Sequence, residues 1–503
     1  MSIATHPLQI DLAAYLFMRL HQLGIRSIHG VPGDFNLVAL DYIAPAGLTW
    51  VGNANELNAG YSADGYARIK GISALIIAFG VGELSALNAI GGAFAERAAV
   101  VHIVGVPSMA SQRAGLTMHH SFGDGEFGRY RRVYKGFSCA QVNLTDASTA
   151  AEMVDWVLRE CLVQSRPVYI ELPTDFVQAK VSAERLGQDI RLSLPVPEND
   201  EVIENAAIEN LLRRLYAAKQ PLIIVDGFAP RYGISEETDE LVCITGLPTS
   251  TTPFGKGIVN ETYPNFHGDY AGAAGKQVYM PWVNLCDLID TFWLRVSHFF
   301  RPGDIVMTET GTPSSGGRKF VLPPQTTMIN SAIWLSIGYM LGTCTGAAIA
   351  QAEQIASGTR PPSSRTILFE GDGSFQMSAQ SVSDMIRNRV DVVTFLINND
   401  GYTIERYLHG MKAKHNWVQP WRYLESPWYF GAPRDDPSYP VFTRQVTTWG
   451  ELGEVWGGRQ LRAGKGFNMV EVVMDIEDAP SSLKNLVLMV QKRNAGGAGG
   501  EEG

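Results

Sequence analysis

Several features that mark particular classes of protein are scarce in this chain of 503 residues. Cysteine occurs only five times, at scattered positions without a CxxC pair, which excludes a disulfide framework and argues against a zinc site. No apolar run reaches the ~20 residues that a membrane-spanning helix needs. The N-terminus has no basic stretch followed by an uninterrupted apolar core, so no secretory signal is expected. We therefore expect a cytoplasmic protein.

Charged residues make up only 18% of the sequence, and the acidic ones prevail, giving a net charge of −10. This balance argues against nucleic acid or an anionic membrane as a partner. The hydrophobic content of 45% is that of an ordinary globular protein. Because the chain is too long for a single hydrophobic core, two or three domains are expected.

Strand-like and helix-like segments alternate over the first 180 residues and again over residues 288–485. Such alternation predicts an α/β fold with doubly wound parallel sheets. Residues 181–200 are polar and contain prolines, which is typical of a linker. Residues 201–287 resemble the start of a third, truncated α/β unit. The glycine-rich end, residues 486–503, is expected to be a flexible tail.

One stretch combines two buried strands with turns that could bind a ligand. An apolar run, a glycine turn, a helix-like segment and a second apolar run predict a βαβ unit, which holds ligands at the carboxyl ends of its strands. Asp372 and Asn399 each follow one of the two strands, so both can face the same point. The four segments are Thr366–Phe369, Gly371–Gly373, Gln376–Arg389 and Val390–Ile397.

That point suits a magnesium diphosphate. Mg²⁺ prefers oxygen ligands, and the carboxylate of Asp372, the amide oxygen of Asn399 and the carbonyl of Gly401 would supply three. Gly373 and Ser374 begin a helix, where backbone N–H groups and the helix dipole favour an anion. Either turn alone is more often an ordinary turn. Both turns at this spacing favour the ligand site.

The motifs GDGSFQ and INNDGYTIERYLHG in this stretch resemble those of the thiamine diphosphate (ThDP)-dependent 2-keto-acid decarboxylases, with the fungal pyruvate decarboxylases nearest. The resemblance implies a three-domain architecture with ThDP and Mg²⁺ as cofactors. Residues 1–180 would be the pyrimidine-binding domain and 288–485 the diphosphate-binding domain. It also implies a homodimer at minimum, with a homotetramer expected, in which Glu56 and Asp372 serve one cofactor from different chains.

The same resemblance assigns catalytic roles. Glu56 would bind the aminopyrimidine ring of ThDP and promote proton removal from the reacting carbon. Read without the resemblance, Glu56 is a solvated carboxylate at a helix N-terminus. The histidine pair, read in the same way, lies on a surface loop. By resemblance, four side chains move protons during turnover as one titrating cluster: Asp34, His119, His120 and Glu405.

Four further residues match positions that contact the cofactor in the family. Thr310 and Thr312 lie in the segment DIVMTETGTPSSG. Ile337 matches the bulky side chain that bends ThDP into its V shape, and Ile404 would line the reacting carbon. Each isoleucine taken alone would be an ordinary core residue.

Two departures from the family pattern stand out. Several strands and helices expected after His267–Lys276 are missing, so the domain is reorganised, the partner subunit covers it, or the sequence lacks an exon. Such a truncation would expose strand edges and apolar surface. Leu335 also replaces a glycine whose carbonyl faces the aminopyrimidine, and its Cβ could crowd that approach.

The leading hypothesis is non-oxidative decarboxylation of pyruvate to acetaldehyde and CO₂ through an enamine on ThDP. Ser314, at a position where small side chains narrow the pocket, favours a small substrate. The missing segment would widen the site, so an aryl- or indole-pyruvate decarboxylase is the first alternative. An acyloin-forming carboligase is the second. A catalytically weak paralogue with a scaffold role is the third.

Overall fold

The computed structural model describes residues 9–188, 199–270 and 288–497, and these form three α/β units with parallel sheets. The α/β class is therefore confirmed. Within these ranges no helix is both long and apolar enough to cross a membrane.

The first unit contains a six-stranded parallel sheet and a small antiparallel pair. Its elements are β1 (Gln9–Asp11), α1 (Leu12–Gln22), β2 (Ser27–Gly30), α2 (Leu37–Leu40), β3 (Thr49–Gly52), α3 (Glu56–Lys70), β4 (Ser73–Ala78), α4 (Val81–Ala95), β5 (Val100–Val106), α5 (Met109–Arg113), α6 (Arg129–Tyr134), β6 (Ala140–Asn143), α7 (Ala147–Gln164), β7 (Val168–Pro173) and β8 (Lys180–Ser182). The strand order is β3-β2-β4-β5-β7-β6, and β1 pairs with β8. Strands β4, β5 and β7 are wholly buried, as expected for a sheet covered by helices on both faces.

The expected linker begins later than predicted. Strand β8 (Lys180–Ser182) overlaps the start of the predicted linker, residues 181–200, and pairs with β1. A short 3₁₀ helix follows at Glu184–Gly187. Val181 and Leu186 are buried against the first core, which explains why this polar segment is ordered. Residues 189–198 of the predicted linker lie outside the described ranges.

The middle unit is small. It contains α8 (Glu201–Ala217), β9 (Ile223–Val225), α9 (Ser235–Thr245), β10 (Thr249–Thr251) and β11 (Phe266–Asp269). The three strands form one parallel sheet over a core of Val225, Val242 and Val259. No residue of α8 is buried. The sequence comparison with the family predicted that strands and helices are missing after His267–Lys276. Most of that segment, residues 271–287, lies outside the described ranges.

The last unit contains a second six-stranded parallel sheet. Its elements are α10 (Leu288–Val296), β12 (Ile305–Thr308), α11 (Thr312–Gly317), β13 (Thr327–Asn330), α12 (Tyr339–Ala356), β14 (Thr366–Gly371), α13 (Asp372–Ser378), α14 (Ser381–Arg387), β15 (Val392–Asn398), α15 (Thr403–His409), α16 (Ser426–Tyr429), β16 (Val441–Val446), α17 (Trp449–Gly457), α18 (Arg459–Ala463), β17 (Phe467–Val473) and α19 (Ser481–Gly497). The strand order is β13-β12-β14-β15-β17-β16.

Two predictions for this unit need correction. The helix expected over Gln376–Arg389 is two helices, α13 and α14, with a break at residues 379–380. The flexible tail expected from residue 486 is wrong for its described part, because α19 continues to Gly497. Leu483 and Val487 are buried on this helix and hold it against the domain. Residues 498–503 lie outside the described ranges.

The first and last units pack through α3 and α12. A Cβ atom on Gly65 would lie 2.0 Å from the carbonyl oxygen of Thr343, and one on Gly346 would lie 1.8 Å from that of Ser62. Real Cβ atoms do not approach so closely, so these positions admit only glycine. The two helix backbones are therefore in direct contact.

A buried acid in the first unit gives the fold a pH dependence. The Glu83 carboxyl group on α4 accepts hydrogen bonds from the Gly80 N–H at 2.9 Å and the Tyr169 hydroxyl at 2.7 Å. Burial raises its pKa from 4.5 to about 8. The neighbouring Glu171 also has a pKa raised by burial, to about 7. The folded state therefore binds protons more tightly than the unfolded state.

We expect Glu83→Gln to flatten the fall in stability between pH 5 and 8. Below pH 4.5 the carboxyl is protonated in both states; as the pH rises through 8, the folded state must bury a charge, so stability is lost. The substitution should reduce the fall in the free energy of unfolding by up to ~1.4 kcal/mol per pH unit. The part of this fall that Glu171 causes should remain. Urea unfolding at pH 5, 7 and 9 measures this. Glu204→Gln, on the exposed helix α8, is the control; an unchanged slope in Glu83→Gln would refute the assignment.

Candidate active site

The carboxyl ends of β14 and β15 bring the two predicted metal ligands to one place. The strands are adjacent and parallel, with Gly371 beside Ile397. Asp372 follows β14 as the first residue of α13, and Asn399 follows β15. Both side chains are buried, and the N–H of Gly401 donates to Oδ2 of Asp372 at 2.8 Å. The structure therefore groups Asp372, Asn399 and Gly401, as the sequence predicted.

The electrostatics of this end of the sheet suit a cation. Burial raises the pKa of Asp372 to about 6, although hydrogen bonds from Gly373 and Gly401 act in the opposite direction. A bound cation would offset the cost of burying this carboxylate. The Asn399 amide nitrogen donates to the Thr403 hydroxyl, an orientation that leaves the amide oxygen as its ligand atom. Ser374 is buried in the first turn of α13, where its N–H can face an anion.

Arg406 supports this turn and was missed from the sequence. Its buried guanidinium donates to the carbonyl oxygen of Asn399 at 3.0 Å and to that of Asp400. Asp400 and Gly401 have φ angles of 61° and 124°, a backbone conformation that is uncommon for residues other than glycine. The hydrogen bonds from Arg406 stabilise it. The one available signal was an arginine following the asparagine pair at the start of a helix.

Glu309 is a second residue that sequence reasoning missed. It is fully buried after β12, and its carboxyl oxygens accept from the N–H groups of Thr310 at 2.6 Å and Met340 at 2.8 Å. Burial raises its pKa to about 7. Glu309 thus joins the end of β12 to the start of α12, which begins two residues after Ile337. It positions two segments that the sequence assigned to cofactor binding.

Thr310 itself provides a test of fit for a cofactor. Its hydroxyl oxygen is buried and makes at most a poorly aligned hydrogen bond, to the adjacent Glu309 carboxyl, so a ligand can supply a better partner. Thr312 is buried at the start of α11, whereas Ile337 and Ile404 are half-buried. At Gly373 a Cβ atom would lie 2.6 Å from the Tyr402 ring, so the phosphate-side turn also requires glycine. The residues present therefore fit Mg–ThDP.

Glu56 is the first residue of α3 and follows β3, as predicted. It is half-buried, and its carboxylate lies against the first turn of α4, where a Cβ on Gly82 would be 3.3 Å from Oε1. Ser336, next to Ile337, hydrogen-bonds the Asn88 amide of α4 at 3.0 Å. The loop that carries Ile337 thus lies over the helices that carry and flank Glu56.

Three of the four predicted proton-transfer residues come together. Nε2 of His119 is 2.6 Å from Oδ2 of Asp34, and the rings of His119 and His120 are 4.6 Å apart. Phe35 stacks on His119, and Nδ1 of His120 is buried without a partner in the described structure. Glu405 is exposed on α15 and is absent from this cluster, which among the described residues contains only the other three.

Leu335 has a φ of 54°, in the left-handed region that glycine favours. Its side chain is half exposed, so the position keeps a glycine-like backbone while carrying a Cβ. A left-handed conformation costs an L-residue roughly 1–2 kcal/mol. The departure from the family pattern is therefore accommodated with strain.

We expect Leu335→Gly to tighten ThDP binding severalfold. Removing the Cβ relieves its crowding of the cofactor. The relief of the left-handed strain and the added freedom of the unfolded chain, ~0.4–1 kcal/mol, oppose each other, so the change in stability should be small. Titration calorimetry with ThDP and Mg²⁺, together with thermal unfolding, measures both. Gln325→Gly is the matched control, because Gln325 also has a positive φ, 61°, but lies outside the site. Equal affinity in wild type and Leu335→Gly would contradict the expectation.

Family models match all three units. The N-terminal TPP-binding domain of thiamine pyrophosphate enzymes matches residues 10–125. The central domain of these enzymes matches residues 208–292, and their C-terminal TPP-binding domain matches residues 310–431.

Curated relatives match nearly the full chain. A pyruvate decarboxylase of Aspergillus parasiticus is 42% identical over 562 aligned positions, covering 95% of this chain and 97% of the relative. One from Aspergillus fumigatus is 40% identical, covering 98% and 99%. Pyruvate decarboxylase isozyme 1 of Saccharomyces cerevisiae is 34% identical, covering 97% and 99%. The alignments have more positions than this chain has residues, so the relatives contain segments that it lacks. The chain belongs to the ThDP-dependent 2-keto-acid decarboxylase family, close to the fungal pyruvate decarboxylases.

Proposed function

We propose that this protein decarboxylates pyruvate to acetaldehyde and CO₂, with ThDP and Mg²⁺ as cofactors. The observation that carries the proposal is the buried junction of β14 and β15. There Asp372, Asn399 and Gly401 offer oxygen ligands beside the N-terminus of α13. The similarity to pyruvate decarboxylases over nearly the whole chain supports pyruvate as the substrate.

The residues divide the work of binding and positioning. Asp372, Asn399 and the Gly401 carbonyl would hold Mg²⁺, with Gly373 and Ser374 on the diphosphate side. The Thr310 hydroxyl would gain a partner in the cofactor, while the apolar side chains of Ile337 and Ile404 shape and dry its surroundings. When bound, ThDP supplies the nucleophilic carbon and the electron sink for loss of CO₂.

Proton movement falls to other side chains. The Glu56 carboxylate, shielded by the start of α4, would hydrogen-bond the aminopyrimidine and hold the proton needed there. The Asp34–His119 contact of 2.6 Å permits a proton to pass between carboxylate and imidazole beside His120. Glu405, in the first turn of α15, would act from the side of the last domain.

A substrate panel tests the proposed function. Purified protein with ThDP and Mg²⁺ is assayed on pyruvate, phenylpyruvate and indolepyruvate, with aldehyde and acyloin products identified. The highest kcat/KM on pyruvate, with acetaldehyde as product, is expected. A higher kcat/KM on phenylpyruvate or indolepyruvate would identify the larger keto acid as the substrate. Acyloin as the main product would indicate a carboligase. Absence of saturable ThDP binding would support a scaffold.

We expect His119→Asn and His120→Asn to slow product release more than decarboxylation. The histidines would hold and move protons after CO₂ has left, so the steady-state rate should fall ~10²–10⁴-fold while the first CO₂ is still released. Single-turnover trapping of CO₂, compared with steady-state acetaldehyde formation, separates the two steps. His415→Asn, at an exposed position of the last domain, is the control. A matching fall in the first CO₂ release would contradict the role.

The assembly and compartment remain proposals. The fungal relatives support a homo-oligomer, of which a homotetramer is the expected size. The acidic net charge of −10 favours a small-molecule 2-keto acid over nucleic acid or an anionic membrane as partner. We place the protein in the cytoplasm because its five cysteines are scattered, as is typical of reduced thiols.

A further inference from the structure

The cluster of Asp34, His119 and His120 has a composition and spacing that also suit a metal ion. It offers one carboxylate oxygen and two imidazole nitrogens, and these three atoms lie within 4.8 Å of one another. Imidazole nitrogens together with a carboxylate are ligands that divalent transition metals prefer, whereas Mg²⁺ prefers oxygen. The chemistry of this ligand set therefore differs from that of the predicted magnesium site.

The distances in the cluster need only a small change to admit a metal. Oδ2 of Asp34 is 2.6 Å from Nε2 of His119. In a tetrahedral zinc site the bonds are ~2.0–2.1 Å long, so the ligand atoms lie about 3.3 Å apart. The carboxylate and the imidazole would separate by less than ~1 Å, and both side chains are exposed enough to rotate that far. Three protein ligands would leave a fourth position for water, as in open zinc sites.

The loop that carries Asp34 is held against the sheet. The side chain of Asn36 is buried and accepts from the Gly33 N–H at 2.9 Å, which closes the turn around Asp34. A Cβ on Gly105 of β5 would lie 2.2 Å from the carbonyl oxygen of Phe35, so the loop backbone contacts the strand directly. The position of the carboxylate is therefore set by the fold of the first unit.

The histidine loop is held in a similar way. The His120 carbonyl accepts from the Tyr130 hydroxyl of α6 at 2.9 Å, and a Cβ on Gly80 would lie 2.1 Å from the same oxygen. His120 has a φ of 64°, a left-handed conformation that is uncommon in residues other than glycine. The Phe35 ring stacks on that of His119, with centroids 4.9 Å apart. The ligands are thus held together before a metal binds, which favours binding.

The polar groups of the cluster are not fully satisfied within the described residues. Asp34 makes its one described ion pair with His119, and no described lysine or arginine lies within ion-pair distance of it. Nδ1 of His120 is buried without a partner in the same part of the chain, which is unfavourable unless a ligand supplies one. A bound metal ion, or a water on it, would supply that partner and balance the carboxylate charge.

We propose that Asp34, His119 and His120 bind one divalent transition-metal ion of the Zn²⁺ class per chain, and that this ion blocks turnover. It would occupy the oxygen and the ring nitrogens that the proposed function uses to move protons. Mg²⁺ would not compete, because it prefers oxygen ligands. The block of turnover rests on the proposed function, whereas the binding of the metal does not.

Calorimetric titration with Zn²⁺ tests the binding. The protein is saturated with ThDP and Mg²⁺ and carries Cys243→Ser, because Cys243 is an exposed thiol that could bind zinc. One site per chain is expected, and His119→Asn and Asp34→Asn should each weaken it at least ~10-fold, since each removes a ligand. His409→Asn is the control, because it alters the exposed His409–His415 pair, whose rings are 5.9 Å apart. Equal affinity in the parent protein and both cluster variants would overturn the proposal.

Co²⁺ provides a second readout that depends on no variant. In a four-coordinate site with nitrogen ligands it absorbs strongly in the visible range, whereas in an octahedral oxygen site it absorbs weakly. A strong band that appears with one equivalent of Co²⁺ per chain and disappears when Zn²⁺ is added is expected. Absence of this band would overturn the proposal even if a variant failed to fold.

Rates on pyruvate test the block of turnover. One equivalent of Zn²⁺ should slow acetaldehyde formation at least ~10²-fold, because proton transfer by the cluster is lost. Additional Mg²⁺ should not relieve the inhibition, whereas a zinc-selective chelator should. Full turnover with the zinc site occupied would refute the block. A protein that decarboxylates no keto acid would sink the proposed function, but the calorimetric and spectroscopic results would still decide whether the metal binds.

Discussion

Replacing Glu56 with glutamine is expected to abolish turnover while Mg–ThDP still binds. Glutamine keeps the length of the side chain but cannot take up and return the proton at the aminopyrimidine, so the rate should fall by at least ~10²–10⁴. The diphosphate contacts lie on α13 and after β15, away from α3. Cofactor affinity should therefore change little.

Stability should also change little in Glu56→Gln. The lost interaction with the helix dipole is worth ~0.3–1 kcal/mol. Steady-state rates on pyruvate and calorimetric titration with ThDP measure the two quantities in the same preparation. Glu201→Gln, which removes an exposed carboxylate from the first turn of α8, controls for the charge. Equal losses of affinity and rate would show that Glu56 serves binding alone.

Replacing Asp372 with asparagine should remove Mg²⁺-dependent ThDP binding. The carboxylate is buried and points to the Gly401 turn, so its loss deprives the cation of its one charged ligand among the predicted three. Loss of a buried charged partner costs ~2–5 kcal/mol, which corresponds to a fall in affinity of ~30-fold or more. Activity should disappear at cofactor concentrations that saturate the wild type.

The metal-free Asp372→Asn protein should be no less stable than the metal-free wild type. Burial raises the pKa of Asp372 to about 6, so at pH 8 the wild type buries a charge that asparagine lacks. Calorimetry with EDTA, and then with Mg²⁺ and ThDP, separates the two effects. Asp400→Asn is the control, since Asp400 is exposed in the same turn. Undiminished cofactor affinity in Asp372→Asn would refute the metal site.

The sequence predicted the unit from β14 to β15 well because its signals are local. Two apolar runs, a GDG turn and an asparagine pair determine which residues follow each strand, and parallel strands then place Asp372 beside Asn399. The break between α13 and α14 was missed because no proline or glycine marks it. Burial of Leu483 and Val487 likewise extends α19 into a segment whose composition suggested a tail.

The supporting residues could not be predicted because their partners are backbone groups far along the fold. Glu309 accepts from Met340, and Arg406 donates to carbonyl oxygens that any residue carries. No pattern in the sequence identifies such pairs. The relation between Glu56 and Asp372 is harder still, since it depends on how two domains pack. The proton-transfer roles of Asp34, His119, His120 and Glu405 stay predictions.

The direct contact of α3 with α12 has a consequence for how this protein would inactivate. A valine at Gly346 would push the two backbones apart, and the ends that carry Glu56 and Ile337 would separate with them. Heat that opened this crossing would have the same effect on those two ends. Inactivation would then be reversible by adding ThDP and Mg²⁺ back, for as long as the separated halves stay folded.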